Sequence, residues 1–192
     1  MKKYIIIIIL LALAGCASPP PKDVGNICSI FKQYPGWRRE ALDVERRWHV
    51  PVTVQMAIMQ QESKFDAQAE PPRKKIFWFI YGPHPTTAHG YSQALNGTWA
   101  LYKQSTGNLW GSRERFSDAV DFIGWYSNTA HKRAKISLDN VYDLYLAYHE
   151  GVSGYMHKTY LKKHWLVLVA HKVRARAAIY TAQLKQCPTN LT

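Results

Sequence analysis

Along most of the chain, apolar residues return every three or four positions, which lays them on one face of a helix, and no stretch sustains the alternation of a half-buried strand. Asn26 to Tyr34 predicts a short helix stopped by Pro35-Gly36, and Arg38 to Trp48 a longer one with Ala41, Leu42, Glu45 and Trp48 on one face. A third helix is entered through Val50-Pro51-Val52-Thr53 and ends near Asp66. Its Val54, Ala57, Ile58, Gln61 and Phe65 stand at i, i+3, i+4, i+7 and i+11, an inward stripe with one polar member. Gly90-Tyr91-Ser92-Gln93 leads into a helix through Leu95, Trp99 and Tyr102 that Thr106-Gly107 closes. Arg115 to Ala134 follows, with Ser117 placed to cap it and Asp118 and Asp121 favourable near its start. Val120, Ile123, Gly124 and Ser127 form its tighter-packing face. Ser137 caps Leu138 to Tyr148, whose Val141, Leu144, Tyr145 and Tyr148 share a stripe, and Gly151 and Gly154 terminate it. The last helix carries Trp165, Leu168, Val169, Lys172, Val173, Ala177, Tyr180 and Leu184 at helical period until Cys187-Pro188 stops it. These elements predict the all-α class, as a single domain over residues 27–187 followed by a tail at 188–192.

Periodicity lapses between Ala67 and His89, where Pro71-Pro72, Gly82-Pro83 and Pro85 break the backbone while Phe77, Trp78, Phe79 and Tyr81 crowd together. So many rings argue against disorder. Three roles fit them: the wall of a groove in which sugar faces stack, ranked first, a hydrophobic clasp over the core, or a lip resting on membrane.

The amino terminus stands apart. Met1-Lys2-Lys3 is a basic start and Tyr4 to Ala14 an apolar run too short to span a bilayer, the pattern of a secretory signal over residues 1–15. Its end, Leu13-Ala14-Gly15-Cys16, resembles the bacterial lipobox. That resemblance implies cleavage before Cys16 and lipid on its thiol and new amino group, and Ala17 resembles the outer-membrane sorting class, facing the periplasm. A plain signal peptide with an incidental cysteine is the alternative. Residues 16–26, with Pro19-Pro20-Pro21, then read as a stiff, extended tether. With Cys16 acylated, Cys28 and Cys187 are an even pair in an oxidising compartment. A disulfide between them would remove roughly 5 kcal/mol of unfolded-state entropy in the simple loop model, against the alternative of two buried thiols.

Net charge is +12, or +10 without Lys2 and Lys3, and it is uneven. From Gly151 to Thr192 there is no Asp or Glu, yet there are Lys158, Lys162, Lys163, Lys172, Arg174, Arg176 and Lys185. Such a face attracts polyanions. Export argues against nucleic acid, which leaves anionic phospholipid, the carboxylates of peptidoglycan stems, or a merely solvated surface.

Glu62 sits at the edge of the third helix's stripe, with Ile58 and Met59 one turn before it. A carboxyl so placed is partly desolvated, which raises its pKa toward that of a general acid at neutral pH. The alternative is an ordinary solvated helix glutamate. Three segments give Glu62 company: Gln61-Glu62-Ser63-Lys64-Phe65, Gly90-Tyr91-Ser92-Gln93 and Ala147-Tyr148-His149-Glu150-Gly151. In that order they resemble the family 1, soluble-type lytic transglycosylase domain, related to goose-type lysozyme. Its signatures are E-S, a basic or small residue and Phe, then G-(L/Y)-(M/S)-Q, then A-Y-N-A-G. The likeness runs roughly from Val50 to Gly154, and the helix from Lys172 to Leu184 resembles the family's closing helix.

The resemblance implies a lysozyme-like fold and peptidoglycan glycan strands as substrate; no cofactor and no metal are expected. Glu62 would be the catalytic acid and then base, with Ser63, Ser92, Gln93, Tyr148, His149 and Glu150 around the sugar. The departures are His149 for the family's Asn and Glu150 for its Ala. A second carboxylate at Glu150 could activate water and make the enzyme a muramidase, or raise the pKa of Glu62 by repulsion, or simply make a local bond at a helix end. A non-catalytic wall-binding lipoprotein is the rival from another class. His84, His89, His157, His164 and His171 show no metal-site spacing, and nothing in the sequence speaks to oligomeric state.

Overall fold

The computed structural model describes residues 18–73, 75–79 and 81–187, so the expected leader, Cys16 and the tail at 188–192 lie outside the described residues. Among those described there are seven α-helices and no strand, as the periodicity predicts. In chain order they are α1 (Ile27–Gln33), α2 (Pro35–Trp48), α3 (Val52–Ser63), α4 (Asn96–Thr106), α5 (Phe116–Ala134), α6 (Val141–Met156) and α7 (His164–Leu184). A 3-10 turn at Thr159–Lys162 links the last two.

The centre of the core is α3, which packs against α2, α5 and α7. Val52, Val54, Gln55, Met56, Ala57, Ile58 and Met59 are all buried, so the helix is enclosed on nearly every side rather than along one stripe. Even Gln55 is inside, donating its amide to the Ala41 and Val50 carbonyls at 3.2 and 2.7 Å. The expected tighter face of α5 packs on α2, where a Cβ on Gly124 would come within 2.5 Å of Val44. Asp121 then takes hydrogen bonds from Tyr102 (2.7 Å) and Trp48 (2.8 Å), tying α4 and α2 to α5.

Several boundaries differ from the sequence reading. Gly90 to Gln93 forms a turn and α4 starts only at Asn96. Neither expected serine cap forms. No side chain caps α5, and α6 begins at Val141 because Asn140 accepts from the Asp143 amide. α6 also continues past Gly151 across a kink. On α7 the buried positions are Leu166, Ala170, Val173, Ala177 and Tyr180, which leaves Trp165 and Leu168 half exposed. The run Trp165-Leu166-Val167-Leu168-Val169 is apolar on all sides, so periodicity alone cannot choose its inner face.

The stretch read as a stiff, extended tether lies against the domain from Pro19 onward. The Pro19 carbonyl accepts from the Tyr34 hydroxyl (2.6 Å), that of Val24 from the Tyr180 hydroxyl (2.5 Å), and that of Gly25 from Arg176 (3.2 Å). Beside it a disulfide joins Cys28 on α1 to Cys187 after α7.

Candidate active site

Glu62 occupies the last turn of α3, and the chain reverses immediately after it. Lys64 and Phe65 both take left-handed backbone angles (φ 53° and 62°), which non-glycine residues adopt only when the surroundings hold them there. Two features do so. The Ser63 hydroxyl donates to the Tyr91 carbonyl (2.8 Å) and accepts from the Phe65 amide (3.1 Å). Phe65 is then buried against Trp37, which stacks on Phe116 and meets Tyr91 edge-on. The E-S-x-F spacing is thus a helix stop that leaves the carboxyl at the end of a buried rod.

The second segment is the turn that this stop leans on. Gly90 has φ +70°, and a Cβ there would lie 2.3 Å from the Arg113 carbonyl oxygen, so only glycine fits. Gln93, itself left-handed, donates its side-chain amide to the Ala69 (2.8 Å) and Gly90 (2.9 Å) carbonyls. With both amide hydrogens engaged, the Gln93 side chain has its oxygen, an acceptor, left for a ligand.

The third segment closes the site from α6. The Tyr148 hydroxyl donates to the Ser92 carbonyl (2.6 Å), pinning helix to turn, and its ring packs edge-on against Tyr126. One turn earlier, the Tyr145 hydroxyl is hydrogen-bonded to the Glu62 carboxyl. Gly151, at φ 76° and ψ 151°, sits in backbone space essentially reserved for glycine and makes the kink in α6. His149 is exposed and meets Trp165 edge-on at 5.1 Å.

These pieces enclose a cleft of about 410 Å³ lined by Glu62, Gln93, Tyr148, His149, Glu150 and Gly151, with Leu95, Thr98, Phe122 and Tyr126 among the remaining walls. Glu62 is recessed in it. Its Oε1 is shielded from solvent and has no hydrogen-bond partner among the described residues. Burial pushes the Glu62 pKa up from 4.5 to about 7, with the Tyr145 hydrogen bond pulling the other way. Such a carboxyl can hold a proton at neutral pH and also give it up. Burial, reinforced by the nearby Glu62, likewise raises Tyr145 and Tyr148, so both stay neutral.

Glu150 is a carboxyl of the opposite kind. Burial tends to raise its pKa, but hydrogen bonds from Lys163, Thr159 and His149 outweigh this and hold it below the usual carboxylate range. Lys163 and Thr159 lie at 2.7 and 2.6 Å, His149 at 3.2 Å, and the side chain is only 5 % exposed. It is a fixed anion with both oxygens occupied.

The structure therefore brings Glu62, Gln93, Tyr148, His149 and Glu150 to one cleft, but not Ser63 or Ser92. Ser63 is buried with its hydroxyl committed to backbone, and Ser92 is fully buried. Both shape the site without facing it. Tyr145 was legible only as a core position; its signal was the i−3 spacing from Tyr148 on the same stripe. Two readings of the aromatic stretch are overturned. Phe77, Trp78 and Phe79 line no part of the cleft, and their exposure rules out a clasp over the core.

A family model described as a transglycosylase SLT domain matches residues 4–187. No curated protein and no solved structure matches the chain.

Proposed function

The chain belongs to the transglycosylase SLT domain family, whose fold is lysozyme-like and all-α, and from that premise we propose that it cleaves peptidoglycan with Glu62 as acid and then base. The scissile bond is the β-1,4 link from N-acetylmuramic acid to N-acetylglucosamine. Protonated Glu62 gives its proton to the glycosidic oxygen as that bond breaks, and the substrate's own N-acetyl group stabilises the cationic C1. The Glu62 carboxylate next takes the proton of the muramic 6-hydroxyl, whose oxygen bonds to C1 and closes a 1,6-anhydro ring. The proton is returned, and no water is consumed.

The single observation that carries this reading is a carboxyl recessed in the cleft with a pKa near 7, among tyrosines and an amide that leave it uncharged company. The second carboxylate in the cleft is what would favour a hydrolase. Against that role, Glu150 is bonded at both oxygens and held as a weak base, ill-suited to take a proton from water. The lipobox-like Leu13-Ala14-Gly15-Cys16 supports an outer-membrane lipoprotein facing the periplasm, anchored through lipid on Cys16.

Turnover of purified glycan strands by wild type and Glu62→Gln tests the proposal. The variant keeps the shape but cannot donate a proton, so the chemical step should fall by roughly 10² or more while strand binding persists. Undiminished turnover would remove Glu62 from the mechanism. Binding without turnover in wild type would make the protein a wall-binding lipoprotein instead.

A further inference from the structure

The segment between Pro71 and His89 leaves the domain as a loop drawn together by a bridge between Lys75 and Tyr81. At its tip Ile76, Phe77, Trp78 and Phe79 are 64, 70, 94 and 79 % exposed. The base is braced: His84 Nδ1 donates to the Pro71 carbonyl (2.7 Å), and the Arg73 guanidinium donates to His84 Nε2 (2.7 Å). Four large apolar side chains are thereby held out in solvent, a contiguous patch of the sort that marks an interaction surface.

Its surroundings say which surface. Glu70 contacts His84 (3.0 Å) and His89 (3.3 Å) at the base, but no acidic residue occurs between Pro71 and His89, whereas Arg73, Lys74 and Lys75 precede the tip, and the Lys75 ammonium lies 5.8 Å from the Tyr81 ring centre. Rings at the tip with cations at the neck match the boundary of a bilayer, where Trp and Tyr settle at headgroup depth and basic residues meet anionic lipid. The glycan cleft is lined on this side by Thr86 and Ala88, not by the tip. We propose that Ile76 to Phe79 form a membrane-seating wedge that inserts at the headgroup level of bilayers containing anionic phospholipid. The wedge is independent of lipid on Cys16 and of the catalytic reading.

The test uses the full chain in vesicles of anionic phospholipid, with or without bromine on the acyl chains, a quencher that acts on contact. Subtracting the emission of Trp78→Phe from that of wild type isolates Trp78, and Trp110→Phe does the same for Trp110, a control ring 91 % exposed. The Trp78 emission should drop by about twofold or more in brominated vesicles while that of Trp110 drops less, as expected of a ring at the lipid boundary. Lys75→Gln should reduce the seated-to-free ratio by up to roughly fivefold, the effect of one charge lost near an anionic surface. All three variants change exposed residues, and circular dichroism checks that they fold. Equal quenching of the two rings, or Trp78 emission that ignores bromine and responds to glycan strands, would overturn the proposal.

Discussion

Replacing Glu62 by Gln should stabilise the protein above neutral pH and leave it nearly unchanged in acid. Burial holds the folded carboxyl at about 7 against the ordinary 4.5, so as pH rises the unfolded chain loses this proton first. Below pH 4.5 both states keep it and its contribution is fully present. Between 4.5 and 7 stability declines, and above 7 the whole difference is gone. At about 1.4 kcal/mol per pH unit, that gap amounts to about 3 kcal/mol. The variant removes the penalty, but Tyr145 loses a charged acceptor, which leaves a net gain of about 2 kcal/mol. For a domain of this size that is a rise in Tm of about 4–8 °C at pH 8. Scanning calorimetry of wild type and Glu62→Gln at pH 4 and pH 8 measures it. A variant less stable at pH 8, or shifted equally at both values, would refute a carboxyl desolvated at the end of α3.

Other residues give narrower tests. Tyr145→Phe removes the hydrogen bond that lowers the Glu62 pKa, so the alkaline limb of the pH–rate profile should move to higher pH; no movement would separate Tyr145 from the acid. Gly151→Ala should cost about 1–3 kcal/mol in urea unfolding, since alanine must enter a backbone region reserved for glycine, and should depress turnover by displacing His149 and Glu150. Reducing the Cys28–Cys187 disulfide should cost about 2–5 kcal/mol, read as a lower urea midpoint with dithiothreitol present. Glu150→Gln should retain anhydro products, because the fixed anion takes no part in proton transfer; loss of turnover with the fold intact would give Glu150 a catalytic part.

The helices were legible because each buries a face whose spacing is written in the chain, and the Cys28–Cys187 pairing because two cysteines flank the domain. Most of what escaped was decided by tertiary contact. The burial of α3 on nearly all sides and the inner face of α7 depend on neighbours, whereas Asn140 prevails over Ser137 as a cap through a local bond from the Asp143 amide. At the site, residue types at motif spacing pointed to Glu62, Gln93 and Tyr148, which do converge. The same spacing could not tell a serine that faces the cleft from one that builds its wall. Ser63 and Ser92 are of the second kind, since the left-handed turn after Glu62 needs the Ser63 hydroxyl and the Tyr148 hydroxyl needs the Ser92 carbonyl. Nor could it foresee Lys163 and Thr159 closing on Glu150, because they lie on the 3-10 turn and its flank.

The central claim is that one carboxyl breaks the glycan bond and the substrate's own hydroxyl, not water, completes the reaction. Digesting purified glycan strands in water enriched in heavy oxygen, with the products read by mass spectrometry, tests it most directly. The account predicts fragments ending in 1,6-anhydromuramic acid and carrying no solvent oxygen. Reducing ends labelled with heavy oxygen, formed at the same rate as cleavage, would contradict it and make the protein a muramidase.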